Sequence, residues 1–527
     1  MIRTDIKVKI KYTAEDINRA ITERLPIESC EINDTVILRR SLNLGDTSAP
    51  HYDICVGVCL SPEREAGLLK MKKKVSSAPN LSLLLPSARL KQRPVVVGAG
   101  PAGLFAALTL AEAGARPILI ERGEAVENRR RSVSRFFETA ELNEESNIQF
   151  GEGGAGAFSD GKLKYGALNK YKYKVLTELI LAGAPEDIAY STSAHLGTDR
   201  LPDIVRCVRE KIKALGGEVI FSARLVDIGV KEGKITSAVY EKGGERVTLD
   251  TDNLILAIGH SARDTVAMLT ERGLFAEPRG FGIGVRIEHP REYIDDLIYK
   301  EAKGELGVGA SYHLVTHLCS GRSVYSFCMC PGGSVVAAAS ERSGIVTNGM
   351  SEYARDGENS NAALLVSVTP NDFPEPTALG GFELQRRIER AAYSLCGGFA
   401  APAQRLGDFM RGEASQSLVT RPTYPIGTLP GSHDDYMPSF ITDSLRAAMS
   451  DFDSWLGGYY YPDATLTGAE TRSTSPVRFT RGESLEALGF AGLYPIGEGA
   501  GYTGGIVSSA ADGVLCAEAV LLKHSAL

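Results

Sequence analysis

The chain has 527 residues, 43% hydrophobic and 23% charged, with a formal net charge of −7. This excludes a largely disordered chain and argues against a general nucleic-acid binder, which needs a basic surface to displace counterions. No apolar run approaches the roughly 18 residues that span a bilayer. The length suggests about three domains, and the 56 glycines exceed the roughly 37 of average composition. They come in clusters, as where backbone is brought close to a ligand.

The opening MIRTDIKVKIKY alternates like a strand and has no apolar signal region. Nine cysteines, an odd count without an export signal, suggest reduced thiols and a cytoplasmic location, and without a CxxC the usual redox-dithiol and zinc spacings are missing. Ile6, Val8 and Ile10 predict a half-buried strand. Thr13 caps a helix carrying Ile17, Ile21 and Leu25 and stopped by Pro26. Val36–Leu38 and Ile54, Val56 and Val58 predict two more strands, which together make a small α+β domain open to a ferredoxin-like arrangement. Residues 68–93, with Lys70, Lys72, Lys73 and Lys74, read as a linker with a solvated charge run, so that residues 1–90 form the first unit.

At Pro94–Val97 a β-branched strand runs into Gly98-Ala99-Gly100-Pro101-Ala102-Gly103, then a helix with Leu104, Ala107, Leu108 and Ala111, then the strand Ile118–Ile120 ending in Glu121. This is a complete dinucleotide-binding β-α-β unit. Gly98 permits the tight turn, Gly100 the approach of a pyrophosphate, and Gly103 close packing of helix on sheet. The helix N-terminus, with Pro101 first and Ala102 next, offers the unpaired N–H groups that follow Pro101 to phosphate. Glu121 is placed to accept from a ribose, and Arg122 follows it. Of Arg129, Arg130 and Arg131 on the next predicted helix, one could reach a phosphate or all could be solvated.

Further pieces lie far along the chain. Leu254–Gly259 is a buried strand, with Ala257 and Gly259 at its end. Gly497 and Glu498 follow another strand, and Gly504 and Gly505 open a helix beginning at Ile506. The segments Asn147–Lys162, Ser326–Gly333, Glu470–Arg472, Ser475–Arg478 and Gly497–Gly505 carry a resemblance over essentially the whole chain. The sequence resembles a bacterial family of uncharacterised FAD-dependent dehydrogenases, within the glutathione-reductase-type two-dinucleotide-binding flavoproteins. The resemblance implies FAD as cofactor, and an α/β architecture: a Rossmann-type FAD-binding domain in pieces (91–270 and 480–527) with an inserted α+β substrate domain (271–479). It implies that Glu498 holds the ribityl chain and that the helix from Ile506 faces the flavin pyrimidine side. In this setting Gly153, Gly154, Ala155, Gly156 and Gly161 make a donor-rich loop for pyrophosphate and ring, Ser159 donates to it, and Lys162 puts positive charge beside the ring. Val226, with Arg224 and Leu225, fits the strand whose backbone meets adenine in this superfamily, or Leu225 and Val226 are ordinary core residues.

In the insertion, Gly280–Ile287 reads as a strand, not a second nucleotide site, so a reductant such as NAD(P)H would dock transiently. Cys328 and Cys330 are either a redox pair or small buried residues. Arg421–Gly427 either shapes a pocket or is a rigid loop. Arg472 or Arg478 either anchors an anionic substrate or makes an interdomain ion pair. Lys162 and Arg472 are the candidate catalytic residues. His313 and His317 stand four apart without a third ligand, and no metal site is expected. The expected function is hydride transfer between FAD and a small organic substrate. The alternatives are a flavin monooxygenase or oxidase, and a flavin-bound redox sensor or RNA-modification adaptor.

Overall fold

The computed structural model describes residues 1–70 and 74–525; Lys72 and Lys73 of the expected charge run lie outside the described residues. The leading unit is an antiparallel sheet in the order Asp34–Asn43, His51–Cys59, Ile2–Lys9, Ser76–Ser77. Helices Ala14–Arg24 and Pro62–Leu69 accompany it. The first starts in a capping box, in which Thr13 and Asp16 bond each other's backbone N–H groups. Its Ile17 and Ile21 pack on Ile2, Ile6, Ile54, Val56 and Val58. Part of the expected linker is therefore structured. Ser61 caps the Pro62–Leu69 helix, and Ser76–Ser77 pairs with Ile2 and Arg3. The unit is docked through Arg40, whose backbone bonds Tyr190 and Thr192 and whose guanidinium lies over the Tyr52 and Tyr190 rings.

The nucleotide-binding part is a five-stranded parallel sheet ordered Leu493–Pro495, Leu254–Leu256, Val95–Val97, Ile118–Ile120, Glu218–Ile220. Strand alternation divides its side chains between two cores. Val96, Leu119, Ile255 and Tyr494 face the helices. Val95, Val97, Ile118, Ile120, Leu254 and Leu256 face the antiparallel meander Arg224–Lys231, Lys234–Lys242, Glu245–Asp250. Helix Pro101–Glu112 is buried from Ala102 to Ala111, as expected for a helix apolar all round. Helix Ile506–Ser525 lies directly against it.

The insertion is built on a seven-stranded sheet ordered Val315–His317, Ser323–Cys330, Asn359–Val368, Phe281–Pro290, Thr465–Glu470, Ala401–Arg405, Thr428–Pro430. Only the last pair is parallel. The strand expected from Gly280 is the central Phe281–Pro290. Helices Gly380–Cys396 and Ser439–Trp455 pack on this sheet. The chain enters and leaves the insertion along one two-stranded ribbon, Ala276–Pro278 against Val477–Phe479. No helix among the described residues is long and apolar enough to cross a membrane.

Candidate functional site

At the carboxyl ends of the parallel strands, where the inserted sheet covers them, lies a cavity of about 730 Å³. That is within the range of roughly 300–1,000 Å³ for small-molecule and cofactor sites. Gly98, Gly100, Pro101, Ala102, Glu121 and Arg122 line it from the first β-α-β unit. Gly154, Ala155, Gly156, Ser159, Gly161 and Lys162 line it from the loop. Ala257 and Gly259 reach it from one distant piece, and Gly497, Glu498, Gly504, Gly505 and Ile506 from the other.

Three expected residues do not line it. Gly103 serves packing instead: a Cβ there would sit 1.8 Å from the Gly98 carbonyl oxygen. Gly153 donates its N–H to Ala99 and shapes the loop from behind. Val226 is a correction, because the wall is formed by Ala223, Arg224 and Leu225. The pairing with Lys234–Lys242 slips between Leu225 and Asp227, which puts Val226 in a bulge.

The loop is held by groups that the sequence only partly revealed. Arg129 is fully buried. It donates to the carbonyls of Asn147, Ile148, Gly151, Glu152 and Gly154, so its donors are spent on the loop, not on a phosphate. Glu121 accepts from the N–H groups of Ala99, Gly123 and Gly151 at 2.7–2.9 Å, tying the fingerprint to the loop while still facing the cavity. Arg122 is held by Glu145 and Asp264 and stacks over Phe150 at 4.0 Å. Ser159 donates to the Gly156 carbonyl and accepts from the Gly161 N–H, closing its own turn.

The walls fit FAD. A Cβ on Gly154 would approach the Gly100 Cα to 3.1 Å, so two backbones meet there without side chains. Next to them the first N–H groups of the Pro101–Glu112 helix face the cavity, as an anion requires. At the other end Gly504, Gly505, Ile506 and Ser509 present the start of helix Ile506–Ser525. Between these ends stands Glu498. Burial pushes its carboxyl up to about 7, although Arg279 pulls the other way. His260 also lines the wall, with Nδ1 3.0 Å from the Ser261 hydroxyl. Burial, with Arg472 and Arg263 nearby, takes it down to about 3, so it is neutral near pH 7.

Lys162 reaches the same space. Its Nζ is buried with no hydrogen-bond partner among the described residues and lies 3.6 Å from Asp160, which Arg355 and Ser351 already hold. Arg472 lines the cavity but is not free to anchor a substrate. It makes two bonds to Glu389, near 3 Å, and two more to Ser261 and Ser340. Arg263 holds the same carboxylate from the other side. Burial would raise Glu389, but Arg263 and Arg472 outweigh it and hold the carboxyl well below its usual range. Arg472 is therefore held in an ion pair inside the insertion, and it is Arg263 that carries the ion pair across to the FAD-binding part. Arg478 bonds the Gly501 carbonyl. Arg421–Gly427 is a loop away from the cavity, with the Thr423 N–H donating to the buried Glu288. His313 lines the cavity, while His317 is exposed and paired with Ser323. From the insertion, Tyr312, Cys328 and Asn348 complete the wall.

The family description "Pyridine nucleotide-disulphide oxidoreductase" matches residues 92–281, and "FAD-dependent protein, C-terminal domain-like" matches residues 280–473. An uncharacterized protein of Clostridium beijerinckii is 43% identical over 97% of both chains. The chain belongs to this family of FAD-dependent oxidoreductases. Among solved structures, E. coli quinol fumarate reductase is similar with a TM-score of 0.37 and 14% identity, covering 82% of this chain and 70% of that one. The 3-ketosteroid-delta4-(5alpha)-dehydrogenase of Rhodococcus jostii RHA1 has a TM-score of 0.35 and 12% identity, covering 84% and 100%. The family thus assigns FAD to an enzyme whose cavity has the features the cofactor needs.

Proposed function

We propose that this FAD-dependent oxidoreductase transfers hydride between its flavin and a small or medium organic substrate that enters beneath the inserted sheet. The observation carrying this reading is that one cavity is shared by the nucleotide-binding glycines and by Tyr312, Cys328 and Asn348 of the insertion. When bound, FAD supplies the two-electron chemistry. The chain's own residues do the rest. Gly100, Gly154 and the first turn of helix Pro101–Glu112 receive the pyrophosphate. Glu498 takes the ribityl hydroxyls. The start of helix Ile506–Ser525 favours negative charge on the ring side it faces. Lys162, near Asp160 but without a hydrogen-bond partner among the described residues, offers its proton and charge to the ring or to a substrate carbonyl. A reductant such as NAD(P)H would reach the flavin transiently through the same opening. The leading domain, with strand order Asp34–Asn43, His51–Cys59, Ile2–Lys9, Ser76–Ser77 and two helices, is read as ferredoxin-like.

The test is anaerobic reduction of the holoenzyme followed by reoxidation with organic acceptors or with O2. Faster reoxidation by an organic acceptor supports the dehydrogenase reading. Fast oxygen consumption coupled to substrate hydroxylation would replace it with a monooxygenase.

A further inference from the structure

Cys328 and Cys330 do not sit as neighbours on a regular strand. Phe327 pairs with Ala363 and Cys330 with Asn361, so one strand spends an extra residue. Cys328 takes a φ of +43°, a left-handed conformation uncommon outside glycine. In an unbroken strand two such residues lie about 6.6 Å apart at Cα, near the upper limit of roughly 4.4–6.8 Å for a disulfide. The bulge and the left-handed turn take the pair out of regular strand alternation and sort the two thiols. Cys328 faces the cavity, and Cys330 is fully buried behind it, its Sγ 3.2 Å from the Cys328 carbonyl oxygen. The pair lies in the inserted domain, outside the residues matched by the disulphide-oxidoreductase description.

We propose that Cys328 and Cys330 form a redox-active dithiol on the cavity wall, with Cys328 attacking and Cys330 resolving, and that its substrate class is a small disulfide. The Cys328 thiolate attacks one sulfur of R–S–S–R. That S–S bond breaks, and the first RS⁻ leaves and takes a proton. Cys330 then gives up its proton and attacks the Cys328 sulfur, expelling the second thiol. Two protein thiols and one disulfide become one protein disulfide and two RSH. Restoring the dithiol takes two electrons and two protons, and for that half alone the inference rests on the flavin reading above.

The surroundings suit these roles. Contact with the Cys330 thiol, then Lys162 and Arg286, bring Cys328 down to about 6, against burial and Asp160. Lys164 also faces it, Glu498 lies across the cavity, and the charge of Arg286 is shared with Glu470. Cys330 is pushed up by the contact with Cys328 and by burial, as suits a thiol that acts second.

The test uses the full-length holoenzyme, reduced and desalted. Peptide mapping after brief iodoacetamide treatment at pH 6.5 should show Cys328 modified about ten times faster than the exposed Cys30, Cys207 and Cys319. Its rate should titrate near pH 6, and later in Lys162→Met. Oxidised glutathione should then consume two thiols and link Cys328 to Cys330. Cys330→Ser should stop at a mixed disulfide on Cys328, and Cys328→Ser should form none. No rate advantage for Cys328, or no linkage between the two, overturns the proposal. Thiol exchange with no reoxidation of pre-reduced flavin would remove the flavin half of the cycle and leave the dithiol standing. Flavin turnover with an inert pair would do the reverse.

Discussion

The Nη1 of Arg129 donates to the carbonyl of Gly154 at 2.9 Å, from a guanidinium that is wholly buried. An arginine near a nucleotide fingerprint invites a role as phosphate ligand. Here it works inward, as the internal support of the loop whose outer surface receives the cofactor.

That arrangement predicts the effect of Arg129→Ala. The buried carbonyls of Asn147, Ile148 and Glu152 lose the Arg129 donor, while those of Gly151 and Gly154 keep a backbone N–H, and each unsatisfied group costs about 1–3 kcal/mol. The variant should lose at least about 3 kcal/mol of stability and most of its bound flavin. Arg129→Lys should rescue little, since one ammonium cannot reach a fork of five acceptors. Denaturant titration and the ratio of flavin to protein absorbance read both effects.

Gly100→Val should separate cofactor binding from folding. The nearest atom to an added Cβ is the Gly154 Cα at 3.8 Å, so the chain accommodates it, but it fills the face offered to pyrophosphate. Thermal stability of the apoprotein should change little, while the FAD dissociation constant rises at least about tenfold, as fluorescence titration would show.

For Arg472, the geometry predicts a structural phenotype. Glu389→Gln leaves Arg263 and Arg472 facing each other across a neutral amide, and breaking such a buried pair costs about 3–5 kcal/mol. The loss should appear as a lower urea midpoint. If the Arg472 guanidinium were instead free to hold substrate, Glu389→Gln would leave the midpoint unchanged and alter KM alone.

Glu498 makes a signed prediction about pH. Its folded value of about 7 lies above the ordinary value, so the folded state binds the proton more tightly than the unfolded one. The apoprotein should therefore lose stability as pH rises from about 4.5 to 7, by at most about 3 kcal/mol. Glu498→Gln should flatten that slope and be the more stable protein at pH 8, in denaturation curves taken across the range.

Lys162→Met removes a buried positive charge beside the cavity. The two-electron potential of the bound flavin should become more negative by about 30 mV, equivalent to about 1.4 kcal/mol. Dye-equilibrated titration measures it without any substrate.

Legibility followed distance along the chain. The fingerprint from Gly98 to Gly103 could be read because its strand, turn and helix are contiguous and each glycine has a local reason. The pieces at Ala257 and Gly497 could be placed because short buried strands ending in glycine are distinctive together. Arg472 was open between two readings because its partner Glu389 stands on a helix that only the fold brings near. The Ser76–Ser77 strand has no periodicity of its own and exists by pairing with Ile2 and Arg3. Val226 and Cys328 were both affected by bulges, which one chain's alternation cannot reveal. The second task of Glu121, bonding three backbone N–H groups, depends on the Gly151 loop folding back over the fingerprint.

The most direct test of the account is a crystal structure of the holoenzyme. One FAD per chain should be present, with its pyrophosphate at Gly100 and Gly154, its ribityl chain at Glu498, and its ring between Lys162 and the start of the Ile506–Ser525 helix. A protein that stays colourless when incubated with FAD, or a flavin bound outside this cavity, would contradict it.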